Sequence, residues 1–166
     1  EEAARGSMRK GTTMDTNDPT QKQANFHGKF SKEEQYKAHL ELGQFQEGLE
    51  NFEIALDEYQ KALEACESHT PILGGLKSNT QQALAHRRIG AALDRLGRFE
   101  QAEVHYRTAL KLHPSDPKVW NDAGYSYYLQ SRWDDAERAL KTADSLDPNN
   151  TRILTNLGLT LAASGK

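Results

Sequence analysis

Six histidines and one cysteine are the side chains best suited to acid–base, nucleophilic or metal chemistry here, and their spacing assembles none of the three. Cys66 has no second cysteine to pair with, and the chain has neither a His-Glu-x-x-His motif nor a glycine-rich phosphate loop. His105 has Gln101 and Ala109 one turn away, neither a usual zinc ligand. His86, Arg87 and Arg88 adjoin in sequence but point in different directions on a helix. Cys66 reads as a small buried hydrophobe, because nothing around it would lower its pKa. No enzyme, cofactor or metal is therefore expected. What remains is recognition chemistry, carried by Arg87, Arg88, Lys118, Asn121, Asp122, Tyr125, Tyr128, Arg152, Thr155 and Asn156. Asparagine amides bond both N–H and C=O of a peptide backbone, and tyrosine supplies contact area at little entropic cost.

These residues need elements to position them, and a repeat supplies the elements. Ala83 to Asn150 is one 34-residue pattern written twice, and Thr151 opens a third copy. Gly90, Gly124 and Gly158 fall in register, as do Ala102 with Ala136, Ala109 with Ala143, and Pro114 with Pro148. A shift of 47 uncovers an earlier copy: Ala38-His39 on Ala85-His86, Leu42-Gly43 on Ile89-Gly90, Phe52 on Phe99, Tyr59 on Tyr106. The extra residues are expected as an insertion in 70–82, where Pro71 and Gly74-Gly75 break helical continuity. A period in this range marks a stacked array in which each unit buries its apolar face only against its neighbours.

Each unit reads as two helices, A and B, with Gly97 and Ser131 at the turn between them. Ser31 with Glu34 predicts a capped helix from about Lys32 to Gln46. Asp116 before Pro117 predicts another start, and Asn149-Asn150 the last one. Glycine inside helix A costs about 1 kcal/mol relative to alanine. Three such glycines imply a neighbour too close for a Cβ. The large residues Ile89, Leu93, Phe99, Tyr106, Trp120, Tyr127, Trp133 and Leu140 are expected to fill the remaining space.

Trp120-x2-Ala123-Gly124-x2-Tyr127, then Ala136-x3-Leu140 and Pro148, resembles the tetratricopeptide repeat signature. The resemblance extends from Tyr36 to Lys166; it departs at His39 and His86, where tryptophan is usual, and at Gln46, where tyrosine is usual. It implies an all-α fold, an α-solenoid of antiparallel helix pairs (a superhelix) with about seven helices. The expected order is a disordered tail over 1–30, including residues left over from cloning ahead of Met8, and a divergent repeat over 31–69. The connection over 70–82 follows, then repeats over 83–116 and 117–150, and over 151–166 the first helix of a fourth repeat, truncated or serving as a cap. Asn121-Asp122 beside Trp120, and Asn156-Leu157-Gly158-Leu159 with Gly165, also resemble the repeats of bacterial tight-adherence (Flp-type) pilus assembly proteins. That implies an envelope-associated assembly factor.

By helical periodicity, helix A packs through its fourth, seventh, eighth and eleventh positions, leaving a free face. The resemblance makes that face the concave groove that grips a peptide or helix of a partner. Its first unit offers Glu41, Gln44 and Glu47, which makes that end acidic. Arg87, Arg88 and Ala91 follow, then Lys118, Asn121, Asp122, Tyr125 and Tyr128, then Arg152, Thr155, Asn156 and Leu159. Chaperone-binding relatives clamp a terminal carboxylate with Lys, Asn and Arg. Here Arg88 stands for the middle Asn and Asp122 for the final Arg, which argues against such a clamp. The expectation is a protein-interaction scaffold, with a docking or regulatory part of a larger enzyme, or a self-assembling scaffold, as the alternatives.

A net charge of -3 with mixed signs argues against nucleic-acid binding, and no apolar run approaches the ~20 residues of a membrane helix. With Met8 as the native start the protein would be cytoplasmic; a trimmed start leaves a periplasmic or outer-membrane-associated location open. The sequence stops before the partner helix expected after Gly165, so Leu154, Leu157 and Leu161 should lack a neighbour; the expectation is a truncated repeat, with a capping role for this last helix or self-association through the C-terminal end as the alternatives.

Overall fold

The computed structural model describes residues 30–67 and 75–165. The tail over 1–29, expected to be disordered, lies outside the described residues. So does the part of the expected connection at 70–74. Among the described residues there are seven helices and no strand: α1 Lys32–Gly48, α2 Phe52–Glu67, α3 Gly75–Arg95, α4 Phe99–Leu112, α5 Pro117–Leu129, α6 Trp133–Leu146 and α7 Thr151–Ser164. They form an all-α solenoid of helical hairpins. The helices α1, α3, α5 and α7 are the A helices; α2, α4 and α6 are the B helices. One boundary departs from expectation. The segment 70–82 is helical from Gly75 onward, so the residues expected as a connection lengthen an A helix instead. Gly75 is tolerated because it starts the helix rather than interrupting it.

The sequence punctuates these helices with specific bonds. Asp116 Oδ1 accepts from the Lys118 N–H at 2.9 Å, with Pro117 at the first helical position. Asn150 Oδ1 accepts from the Arg152 and Ile153 N–H groups at 3.1 and 3.4 Å. Every A helix ends at a left-handed residue in the same register: Glu50, Gly97, Ser131 and Gly165. In the first three, the next N–H reaches back five residues: Asn51 to Gln46 O, Arg98 to Leu93 O and Arg132 to Tyr127 O, each 2.9 Å. That bond closes the helix and turns the chain into helix B.

Each hairpin is then locked by one close approach. A methyl group built on Gly90 would lie 2.8 Å from Tyr106 Cε1, and one on Gly124 only 2.6 Å from Leu140 Cγ. Gly43 meets the Tyr59 ring in the same way. Gly158 does not share this role: nothing lies within 4 Å of its missing Cβ, because no B helix covers α7 among the described residues. Of the large residues expected inside, Ile89, Leu93, Tyr106 and Leu140 are buried. Phe99, Trp120, Tyr127 and Trp133 are only half-buried. Val119 takes the innermost place beside Trp120, whose indole N–H donates to Pro114 O at 2.8 Å. Cys66 is buried as expected, and burial pushes its thiol up to about 11.

The two kinds of glycine give opposite expectations. Gly124→Ala should lower stability by about 1–3 kcal/mol, because Leu140 cannot retreat. Gly158→Ala should raise it by up to about 1 kcal/mol through helix propensity alone. Urea-denaturation midpoints measure both; equal shifts would refute the close-packing account.

Candidate functional site

Successive A helices lie side by side, and polar bonds tie each to the next. Arg88 Nη1 donates to Glu47 Oε2 at 3.4 Å, joining α3 to α1. Arg87 Nη1 donates to Asp122 Oδ2 at 2.8 Å, joining α3 to α5. Arg152 Nη2 donates to the other oxygen of Asp122 at 3.2 Å, and Asn156 Nδ2 to Asn121 Oδ1 at 2.9 Å, joining α5 to α7. This corrects the expectation of a free face at Arg87, Asn121 and Asp122, which are buried. Periodicity identified the side of the helix correctly but not what stands opposite it, which is the neighbouring A helix.

An open cleft of about 280 Å³ sits in this wall, lined by Arg87, Arg88, Pro117, Lys118, Asn121, Asp122, Asp147, Asn150, Arg152 and Ile153. It brings together six of the ten candidate residues: Arg87, Arg88, Lys118, Asn121, Asp122 and Arg152. Four cations face two carboxylates. Asp147 is engaged by the Asn150 amide at 2.7 Å, and Asp122 is held by two arginines. Asp122 is therefore not a bare carboxylate repelling an anion, as its position alone had suggested. Lys118 is exposed at the rim, and among the described residues no carboxylate pairs with its ammonium. The Arg152 side chain is 72% exposed. The Nε–H groups of Arg87 and Arg88 are buried without a hydrogen-bond partner. The first turns of α5 and α7 also border the cleft, and helix N-termini favour negative charge.

Four candidates lie outside the cleft. Thr155 is turned onto its own helix, its hydroxyl donating to Thr151 O at 2.7 Å. Asn156 is spent on Asn121. Tyr125 is exposed and stacks on Tyr128, with ring centroids 5.9 Å apart. Tyr128 is half-buried and leans on Trp133 at 5.6 Å, so it supports Tyr125 rather than facing solvent alone. Asp147 and Asn150 were not singled out as cleft residues, the cap position of Asn150 being the one available signal; Glu47 was expected at the acidic end of this face, where Arg88 meets it.

Two turns along α3 from Arg87, Asp94 accepts from Tyr106 Oη at 2.8 Å and from Ser126 Oγ at 2.7 Å. Burial pushes its carboxyl up to about 6, against the pull of those two hydrogen bonds, and the Asp122 charge adds to the rise. Two histidine sites complete the A–B seams. His39 Nδ1 lies 2.7 Å from Glu58 Oε2, and His86 Nδ1 lies 2.9 Å from His105 Nδ1 in the equivalent place. Burial lowers the pKa of both His86 and His105, and His86 lowers that of His105 further. One ring must donate and the other accept, so the two Nδ1 atoms cannot both carry a proton.

Antiparallel helix pairs repeated in register and bonded through their A helices define a helical-repeat protein of the solenoid class. Models of the tetratricopeptide repeat match residues 36–69 and 87–151. The chain belongs to the tetratricopeptide repeat family, in general a non-catalytic protein-interaction module. A BBSome complex member from mouse, BBS4, is 33% identical over 70 residues, covering 42% of this chain and 14% of that protein. The chain spans at most 14% of the length of the curated relatives it matches. The first repeat domain of Spaghetti (RPAP3), bound to the HSP90 peptide SRMEEVD, superposes with a TM-score of 0.67 at 19% identity. That match covers 80% of this chain and 98% of the other, and shows the shared fold. The pilF protein of Pseudomonas aeruginosa has a TM-score of 0.67 at 27% identity, covering 82% of this chain and 57% of its own. No helix among the described residues is long and apolar enough to cross a membrane.

Asp94 contributes stability that is fully present below about pH 4 and is lost as the pH rises through about 6. Asp94→Asn removes that dependence. The stability of the wild type relative to this variant should therefore rise by roughly 2–3 kcal/mol between pH 7 and pH 4. Thermal melts of both proteins across that range test it; parallel curves would show that Asp94 does not titrate in this way.

Proposed function

We propose that the chain is a non-catalytic scaffold whose cleft between α3, α5 and α7 seats an acidic part of a partner protein. One observation carries this reading: four cations drawn from three repeats converge on one open cleft, while its two carboxylates are already bonded within the wall. Lys118 and Arg152 are exposed at the rim and can meet a carboxylate without disturbing the fold. Arg87 and Arg88 form the floor, where charge-assisted bonds are stronger. Spaghetti supports the reading by analogy, since the same fold there holds a peptide with two glutamates and an aspartate.

A narrower reading makes the partner a component of a bacterial pilus or secretion assembly. The resemblance to tight-adherence repeats and the 27% identity to pilF support it. The small share of each curated relative that the chain spans fits a docking part of a larger protein equally well.

The Lys118→Glu variant should keep its helical content by circular dichroism. It should bind a dye-labelled peptide of alternating glutamate and serine at least tenfold more weakly than wild type, and wild-type binding should weaken with added salt. Equal affinity of the two proteins for that peptide would refute the cleft assignment.

A further inference from the structure

Lys118, Asp122, Tyr125 and Leu129 occupy one stripe of α5, because steps of four, three and four residues return to the same helix face. The equivalent stripe of α7 is Arg152, Asn156, Leu159 and Ala163. The Arg152–Asp122 and Asn156–Asn121 bonds lock the two helices side by side. The stripes therefore run together, cationic at the start and apolar beyond. Tyr125, Leu129 and Leu159 remain 37%, 38% and 45% exposed on the same stripes as Lys118 and Arg152. Tyr125 is also held in place, stacked on Tyr128, which is braced by Trp133. The exposed apolar side chains of the first A helix, Leu42 and Phe45, lie off this stripe. The equivalent positions of the first two A helices are Gln44 and Gly48 on α1, and Ala91 and Arg95 on α3.

Seven residues separate Lys118 from Tyr125 and Arg152 from Leu159, which is about 10 Å along a helix. In an extended polyproline-type segment, residues three apart stand on the same side and about 9 Å from one another. Charge complementarity at the cleft sets one end of the ligand, and the apolar stripe sets the other.

Resting on the cleft reading above, we propose that Tyr125, Leu129 and Leu159 form a second, apolar subsite. The bound segment is extended and presents a carboxylate side chain and a bulky apolar side chain three residues apart. Specificity then comes from spacing as well as from charge.

The test is fluorescence anisotropy on the full chain with dye-labelled proline- and serine-based decapeptides. Each carries one glutamate, with phenylalanine two, three or seven positions away in either order, or with serine in its place. In one of the two orders, the three-residue spacing should bind about tenfold more tightly than the serine version. That gain should vanish in Tyr125→Ser and Leu159→Ser, both exposed positions, while the serine version binds these variants as it binds wild type. No gain from phenylalanine, a gain that survives in both variants, or a greater gain at seven positions overturns the apolar subsite and leaves the cationic cleft standing. Failure of every glutamate peptide to bind wild type sinks the cleft reading and this proposal with it.

Discussion

The molecule depends on a near-contact that only glycine permits. Tyr59, Tyr106 and Leu140 press against the A helix at Gly43, Gly90 and Gly124, at distances a Cβ could not share. Each contact sets the spacing of one hairpin, and the remaining side chains pack around it. Tyr106 shows how one such residue serves two purposes. Its ring fills the space over Gly90, and its hydroxyl donates to Asp94, which in turn accepts from Ser126 on the next A helix. The hairpin contact and the joint between repeats thus share a side chain, so disturbing one disturbs the other.

Between hairpins the logic changes from steric to polar. The A helices are stitched by Glu47–Arg88, Arg87–Asp122, Asp122–Arg152 and Asn121–Asn156. A buried ion pair adds little net stability over an apolar pair of equal size, but losing one partner leaves a costly bare charge. Such bonds therefore fix which A helix stands beside which, and at what height. They also decide which charges remain for a ligand. Asp122 is consumed, Arg87 is half-consumed, and Lys118 and most of Arg152 are left over. The positive character of the cleft is the residue of this internal pairing rather than a simple excess of basic side chains, since the chain as a whole is slightly acidic.

Two adjacent repeats solve one seam differently. In the first unit His39 faces Glu58; in the second, at the same register, His86 faces His105. The first arrangement pairs the ring with a carboxylate, whereas in the second the two facing Nδ1 atoms cannot both carry a proton. Identical backbone positions thus carry different polar partners, a difference invisible at the level of the fold.

The repeat period, the all-α class, the glycine contacts at 90 and 124, and the caps at Asp116 and Asn150 were legible in the linear chain. Each depends on local geometry or on a pattern that recurs. The face bearing the candidate residues was legible for the same reason, since helical periodicity fixes which side chains share a side. What the chain could not state was the occupant of the space opposite that side. Arg87, Asn121 and Asp122 look like solvent-facing residues until the neighbouring A helix is beside them. His105 looks solitary until α4 folds against His86. Gly158 carries the same letter as Gly90 and Gly124 but meets nothing, because a glycine records only that a neighbour is allowed. Periodic sequence determined the elements and their inward sides; only tertiary packing decided which polar groups consume one another and which are left for a partner. Those bonds join residues 30 to 41 positions apart, whose meeting depends on how whole helices stack.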